Sequence, residues 1–121
     1  MSDEVERTLC QLPQCFVYKV PPRTSAEGHR ASNFPKDHMW TGKLRIMAKG
    51  RNATIFLVDA NNQVFAASPV SEGSVERCVD SGRYFVLKIV NPQGKHAYIG
   101  LAFNDRNEAF DFNVALQEHK K

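Results

Sequence analysis

No apolar run in these 121 residues approaches the roughly 18 consecutive side chains that a helix needs to cross a bilayer. The N-terminus, Met1-Ser-Asp-Glu-Val-Glu-Arg7, is acidic where a signal peptide would be basic and then apolar, so a cytosolic chain is expected. Cysteine is scarce as well: Cys10, Cys15 and Cys78 are odd in number and form no C-x-x-C pair. Strand alternation over the interval between Cys10 and Cys15 predicts that they point to opposite faces, so neither a disulfide framework nor a zinc site is expected. The four histidines, His29, His38, His96 and His119, show no metal-ligand spacing. Gly-x-Ser-x-Gly, the Walker loop and G-x-G-x-x-G are all missing. The sequence therefore predicts no catalytic residues, no metal and no cofactor. Asn52-Ala-Thr54 matches a glycosylation sequon that matters only in a secreted protein, and Asn52 is read as a strand residue.

What is present fits one small globular domain. The hydrophobic fraction is 42%, and eight Phe, three Tyr and one Trp supply a modest core. The formal net charge is +3, but it is unevenly spread. Between Lys19 and Arg51 there are eight basic residues against Glu27 and Asp37, and the rest of the chain is net acidic. A local excess of that size points to an anionic partner or to a solvated face.

The pattern along the chain is that of short strands. A first strand is predicted over Leu9 to Val20, with Phe16, Tyr18 and Val20 on one face, and Pro21-Pro22 ends it because proline cannot donate to a ladder. Residues 1–8 are expected to be a flexible N-terminus and 21–39 a long polar loop. Thr41 to Ala48 alternates, with Leu44, Ile46 and Ala48 inward and Lys43, Arg45 and Met47 outward. Turn residues at 49–52 and 59–62 separate this strand from runs at Ala53 to Val58 and Val64 to Ala66. A weak strand near Val75 to Val79, the strong run Arg83 to Val90, and a hairpin into His96 to Phe103 bring the number to seven.

At Asp105-Arg-Asn-Glu108 the period becomes helical, with an Asp N-cap and Glu three residues on. Ala109, Phe112 and Leu116 form the predicted core stripe; Phe110 and Val114 widen it and either pack under the first strand or line a peptide groove. The fold expected is mainly β with a C-terminal α-helix, a pleckstrin-homology-like seven-stranded barrel capped by one helix over residues 9–121, which the pattern alone does not separate from other small barrels.

Binding residues can be nominated from charge and position. Arg23 and Arg30 frame the long loop, and Lys43 with Arg45 shares a strand face. Ser81 and Arg83 open the strongest strand, and Arg106 begins the helix, where the dipole favours an anion. If the Ser81 turn and the helix start adjoin, the Ser81 hydroxyl, Arg83, Arg106 and backbone amides form a phosphate site. Trp40 is either a barrel-end plug or a ligand platform.

Five segments in this order go further: Val20-Pro-Pro-Arg23, Gly28-His-Arg-Ala-Ser32, Trp40-Thr-Gly-Lys-Leu-Arg-Ile46, Asp80-Ser-Gly-Arg-Tyr-Phe-Val86 and Ile99 to Gln117. They resemble the NECAP family of adaptin-ear-binding coat-associated proteins, from about Leu9 to the end. The resemblance implies the family's PHear domain, a non-catalytic pleckstrin-homology-like module of clathrin-mediated endocytosis. It implies binding of the clathrin adaptor complex, favouring its phosphorylated open form, and of short Phe-x-Asp-x-Phe-type accessory peptides. Ser81, Arg83 and Arg106 fall in matched segments and become adaptor-contacting candidates, with Phe110 and Val114 as groove candidates. The family implies contact with coated vesicles and the plasma membrane only through proteins; a monomer that does not bind nucleic acid is expected. The competing class is a phosphoinositide-binding module, for which Lys19, Arg23, Arg30, Lys43 and Arg45 are the candidate basic residues.

Overall fold

Strict alternation fixes the inner face of the sheet. A computed structural model describes residues 6–20, 34–71, 73–78, 80–90 and 94–120, and in it seven strands precede one helix. They are β1 (Glu6–Lys19), β2 (Trp40–Lys49), β3 (Asn52–Val58), β4 (Val64–Pro69), β5 (Val75–Arg77), β6 (Tyr84–Val90), β7 (His96–Phe103) and α1 (Arg106–Lys120). Leu44, Ile46 and Ala48 of β2 are buried while Lys43, Arg45 and Met47 stay half-exposed, as the alternation predicts. The order across the sheet is β4-β3-β2-β1-β7-β6-β5, every pairing antiparallel. A further pairing of Ala67 with Val90 joins β4 to β6 and closes the sheet on itself. Buried Ser68 secures that seam: its hydroxyl donates to the Lys88 carbonyl at 2.5 Å, while the Lys88 amide donates to the Ser74 carbonyl at 2.8 Å. β5 shares one side of β6 with β4, and β1 pairs with β7 only over Cys15–Lys19, so among the described residues the first half of β1 has a strand partner on its β2 side alone.

Helix α1 closes one end. Ala109, Phe112 and Leu116 are buried, and the Phe112 ring lies 5.1 Å from both Phe85 and Phe103. The Asp105 side chain accepts from the Glu108 amide at 2.9 Å, giving the expected N-cap. Glu108 Oε1 is buried with no hydrogen-bond partner among the described residues, so this oxygen does not supply the reciprocal half of the box.

Several boundaries and faces differ from the sequence reading. β1 starts at Glu6, ahead of the expected start at Leu9, because residues 6–8 pair with Lys49, Ala48 and Met47 of β2. Of the expected long loop 21–39, residues 21–33 lie outside the described residues, as do residues 1–5 of the expected flexible N-terminus. β5 is shorter than predicted and β6 begins at Tyr84. Cys10 and Cys15 do not face opposite ways. Leu12 pairs with Leu44 but Cys15 with Gly42, so β1 has one residue more than β2 in this stretch, and the bulge restores Cys15 to the core face that Cys10 also packs against.

A second cluster lies on the outer face. Phe34 folds over β7 and, with Cys78 and Val86, is flanked by Tyr18, Val20 and Tyr84. The face shared by Phe16, Tyr18 and Val20 is therefore the outer one, and these aromatics serve a satellite core instead of the barrel interior.

Candidate functional site

The turn from β5 to β6 brings Ser81 and Arg83 beside the start of α1. Arg77, Cys78, Asp80, Ser81, Arg83 and Arg106 line one open cleft there. Local structure fixes the parts. The Ser81 hydroxyl oxygen accepts from the Arg83 amide at 3.2 Å, a short serine turn that holds the start of β6. Arg83 Nη1 donates to the Asn104 carbonyl at 3.3 Å, and the guanidinium carbon stands 5.9 Å from the centre of the Tyr84 ring. Asn104 is itself tied to β1, its Nδ2 donating to Gln14 Oε1 at 3.0 Å. Arg83 is thus positioned by the chain that leads into the helix, whereas Arg106, the first residue of α1, is exposed.

Electrostatically the cleft is basic, with three arginines against Asp80. The helix dipole adds to this, although the Asp105 carboxylate already uses the Glu108 amide. Cys78, also in this lining, is buried, and its thiol is pushed up to about 11 by burial first and by the negative charges of Asp80 and Glu76 second. The shift keeps the thiol protonated at neutral pH. An anion with several acceptor oxygens matches three guanidinium groups and a hydroxyl.

The other nominated residues do not join this cleft. Lys43 and Arg45 are half-buried on the outer face of β2, separated from β6 by β1 and β7. Arg23 and Arg30 lie outside the described residues. Phe110 is 66% exposed, and Val114 lines a shallow cleft with Leu9, Cys10, Asp111, Ala115 and Glu118 between β1 and α1. Trp40 cannot share a groove with them: it pairs with Val17, whereas Val114 lies by Leu9 and Cys10, about 20 Å back along the same strand. Trp40 packs against the core at the far end of the barrel, with the Phe65 ring stacked on it at 4.5 Å and 9°. A bulge on β4 aims Phe65 there, since Leu57 pairs with Ala66 and Val58 with Val64.

Sequence reasoning missed Arg77 and the Arg83 to Asn104 contact. Arg77 has no local signal beyond its charge, because only the β5–β6 pairing turns it toward Ser81.

A closed antiparallel barrel with one capping helix and a basic cleft at the helix start defines a pleckstrin-homology-like binding domain. Solved structures agree on the fold: two crystal structures of the Ran binding domain of the nuclear pore component Nup2 from Ashbya gossypii superpose with TM-scores of 0.66 and 0.65 at 11% and 10% identity. They cover 95% and 94% of this chain and 95% and 96% of their own. Residues 5–121 match the family described as "Protein of unknown function (DUF1681)", and the chain belongs to that family, the PHear domain of the NECAP proteins. It is 48% identical to adaptin ear-binding coat-associated protein 2 of Mus musculus and 47% identical to adaptin ear-binding coat-associated protein 1 of Homo sapiens. Those alignments cover 99% and 98% of this chain but 47% and 45% of the relatives, so the chain spans about half the length of the curated proteins it matches.

Proposed function

We propose that this domain is a non-catalytic protein-binding module of clathrin-mediated endocytosis. It binds the clathrin adaptor complex, favouring the phosphorylated open form, and accepts Phe-x-Asp-x-Phe-type peptides of accessory proteins. The observation that carries the reading is the convergence of Ser81, Arg83 and Arg106, from two separate segments, on one basic cleft. Doubly charged phosphate oxygens are the natural complement of such a cluster, because guanidinium groups donate to them in a fixed fork. The relatives' names, adaptin ear-binding and coat-associated, supply the cellular context. The domain works as a monomer, peripheral at coated vesicles and at the plasma membrane. Among the described residues no helix is long and apolar enough to cross a membrane.

The test is capture of purified clathrin adaptor core, phosphorylated or not, by the immobilised domain. Phosphorylation-dependent capture that Ser81→Asn and Arg106→Glu both abolish is the expected result. Failure of the wild-type domain to capture the adaptor in both states, phosphorylated and unphosphorylated, overturns the reading. Flotation with phosphoinositide vesicles is run beside it; salt-resistant flotation that Lys43→Glu and Arg45→Glu remove, without adaptor capture, would establish a lipid-binding module instead.

A further inference from the structure

The first half of β1 is an unshared strand edge. From Glu6 to Leu12 it pairs with β2, and β7 joins its other side only from Cys15 onward. Bonded and non-bonded pairs alternate in an antiparallel ladder, so residues before Cys15 take turns in directing N–H and C=O groups away from β2. Helix α1, not a strand, stands next to this stretch. It is tied to the barrel at both ends. Asn104, just before the helix, donates from Nδ2 to Gln14 Oε1 at 3.0 Å. His119, near its end, hydrogen-bonds through Nε2 to the Arg51 carbonyl at 3.1 Å, in the turn that follows Lys49, the partner of Glu6.

Between those ties strand and helix stand apart, and Leu9 and Cys10 of β1 with Asp111, Val114, Ala115 and Glu118 of α1 line the cleft. Spacings of three, four and seven put the four helix residues on one face. Leu9, Cys10, Val114 and Ala115 are half-buried and make an apolar floor. Asp111 and Glu118, both exposed, stand one turn before and one turn after the Val114 and Ala115 pair. The Cys10 thiol is pushed up by burial first and by the Asp111 charge second, so that carboxylate acts across the cleft on the strand. No residue of this lining is basic, although the chain carries a net charge of +3, and none belongs to the arginine cleft.

We propose that this groove takes an extended polypeptide segment of basic and apolar character. Its main chain pairs with the first half of β1, an apolar side chain seats between Leu9 and Val114, and Lys or Arg side chains meet Asp111 and Glu118. The strand edge selects the kind of ligand, because an extended chain presents donors and acceptors at the spacing of alternate β1 residues, about 7 Å. The two carboxylates select its sign: an acidic segment meets like charge at both ends of the apolar floor. Seven helical residues separate them, about 10 Å along the axis. Two basic residues on one face of the added strand, two or four positions apart, reach both.

The test probes the 121-residue chain with two arrays of nonapeptides, both degenerate over Val, Leu, Ile and Phe at alternate positions. One array carries Lys and Arg at two of the remaining positions and the other Asp and Glu, with Ser elsewhere. The expected result is retention of the basic array alone, and a loss of at least ten-fold when Asp111→Lys and Glu118→Lys are combined, with the melting temperature measured alongside. Retained peptides should slow the modification of Cys10 by a thiol reagent, and single N-methyl groups placed along them should abolish retention at alternate amides. These last two readouts need no protein variant, so they decide the matter even if the charge reversal fails to fold. Retention of neither array, or of both equally, overturns the proposal. Binding that N-methylation leaves unchanged at every amide overturns it as well, since no strand is then added. A concentration-dependent dimer of the chain that protects Cys10 would give the edge to a second copy and overturn it too.

Discussion

Gly100 of β7 lies under the ring of Phe34: a Cβ built on its backbone would stand 2.5 Å from Phe34 Cε2 and about as close as 3.0 Å to Cζ. The absence of a side chain at this position lets the segment before β2 seat on the outer face of the barrel, where Phe34 meets Tyr18 and Tyr84 at centroid distances of 5.9 and 5.8 Å. Gly100 has no left-handed backbone torsion, so its role is space, not conformational freedom.

Gly100→Ala should therefore destabilise the domain by about 1–3 kcal/mol, the range for overpacking a fitted contact. Thermal melting reads the loss. The near-ultraviolet signal of Tyr18 and Tyr84 should change with it, because Phe34 must shift. A melting temperature equal to wild type would show that Phe34 moves aside at no cost.

At the opposite end from the helix, Trp40 and Phe65 should couple. A double-mutant cycle with Trp40→Leu and Phe65→Leu is expected to return about 0.5–1.5 kcal/mol, the range for aromatic pairs beyond their buried area. Gly42 belongs to the same arrangement: a Cβ there would collide with the Trp40 ring and come within 2.6 Å of the Val58 carbonyl oxygen. Gly42→Ala should thus cost more than either ring truncation, since the backbone of β3 cannot step aside.

Loss of the helix cap is the third expectation. Asp105→Ala should lower stability by about 1 kcal/mol, whereas Asp105→Asn should lower it by less, because the amide oxygen still accepts from Glu108. If the two variants melt together, the oxygen acceptor at the cap is not what stabilises the first turn.

Alkaline pH supplies the fourth. Burial pushes the Cys15 thiol up to about 12, with the Glu108 charge adding to it, and the Cys78 thiol up to about 11. In the unfolded chain both ionise near 8.5. Above that pH the unfolded state holds fewer protons than the folded one, so stability is full below about pH 8.5 and falls as pH rises toward 11–12. Cys15→Ala should flatten this fall while lowering stability at neutral pH. Thiol reagents at pH 8 should modify Cys15 and Cys78 in step with global unfolding, and Cys10, only partly buried, ahead of them.

The order of elements, the inner face of β2, the helix cap and the stripe Ala109, Phe112, Leu116 all follow from the amino-acid sequence. Period and local chemistry set them: alternation at two, a stripe at 3.6, and an Asp whose oxygen fits a free amide. The five matched segments likewise carry the family. What periodicity does not carry is a change of phase. The bulges at Leu12 to Cys15 and at Phe65 insert single residues that reverse which side chains face inward, so Cys15 joins Cys10 and Phe65 finds Trp40 only once strands pair.

The candidate site divides the same way. Ser81, Arg83 and Arg106 could be nominated from their turn, strand and helix positions, but their meeting depends on β6 and β7 laying the β5–β6 turn against the helix start. Separation was equally a matter of tertiary structure: Trp40 and Val114 are both half-buried apolar side chains, yet the length of β1 holds them at opposite ends of the barrel. Sequence alone determined which local elements form, because each is decided by neighbours a few residues away. Closure of the sheet through Ala67 and Val90, and the open edge it leaves on β5, belong to the fold alone, because pairing between residues far apart in the chain is decided by the collective fit of all seven strands around one core.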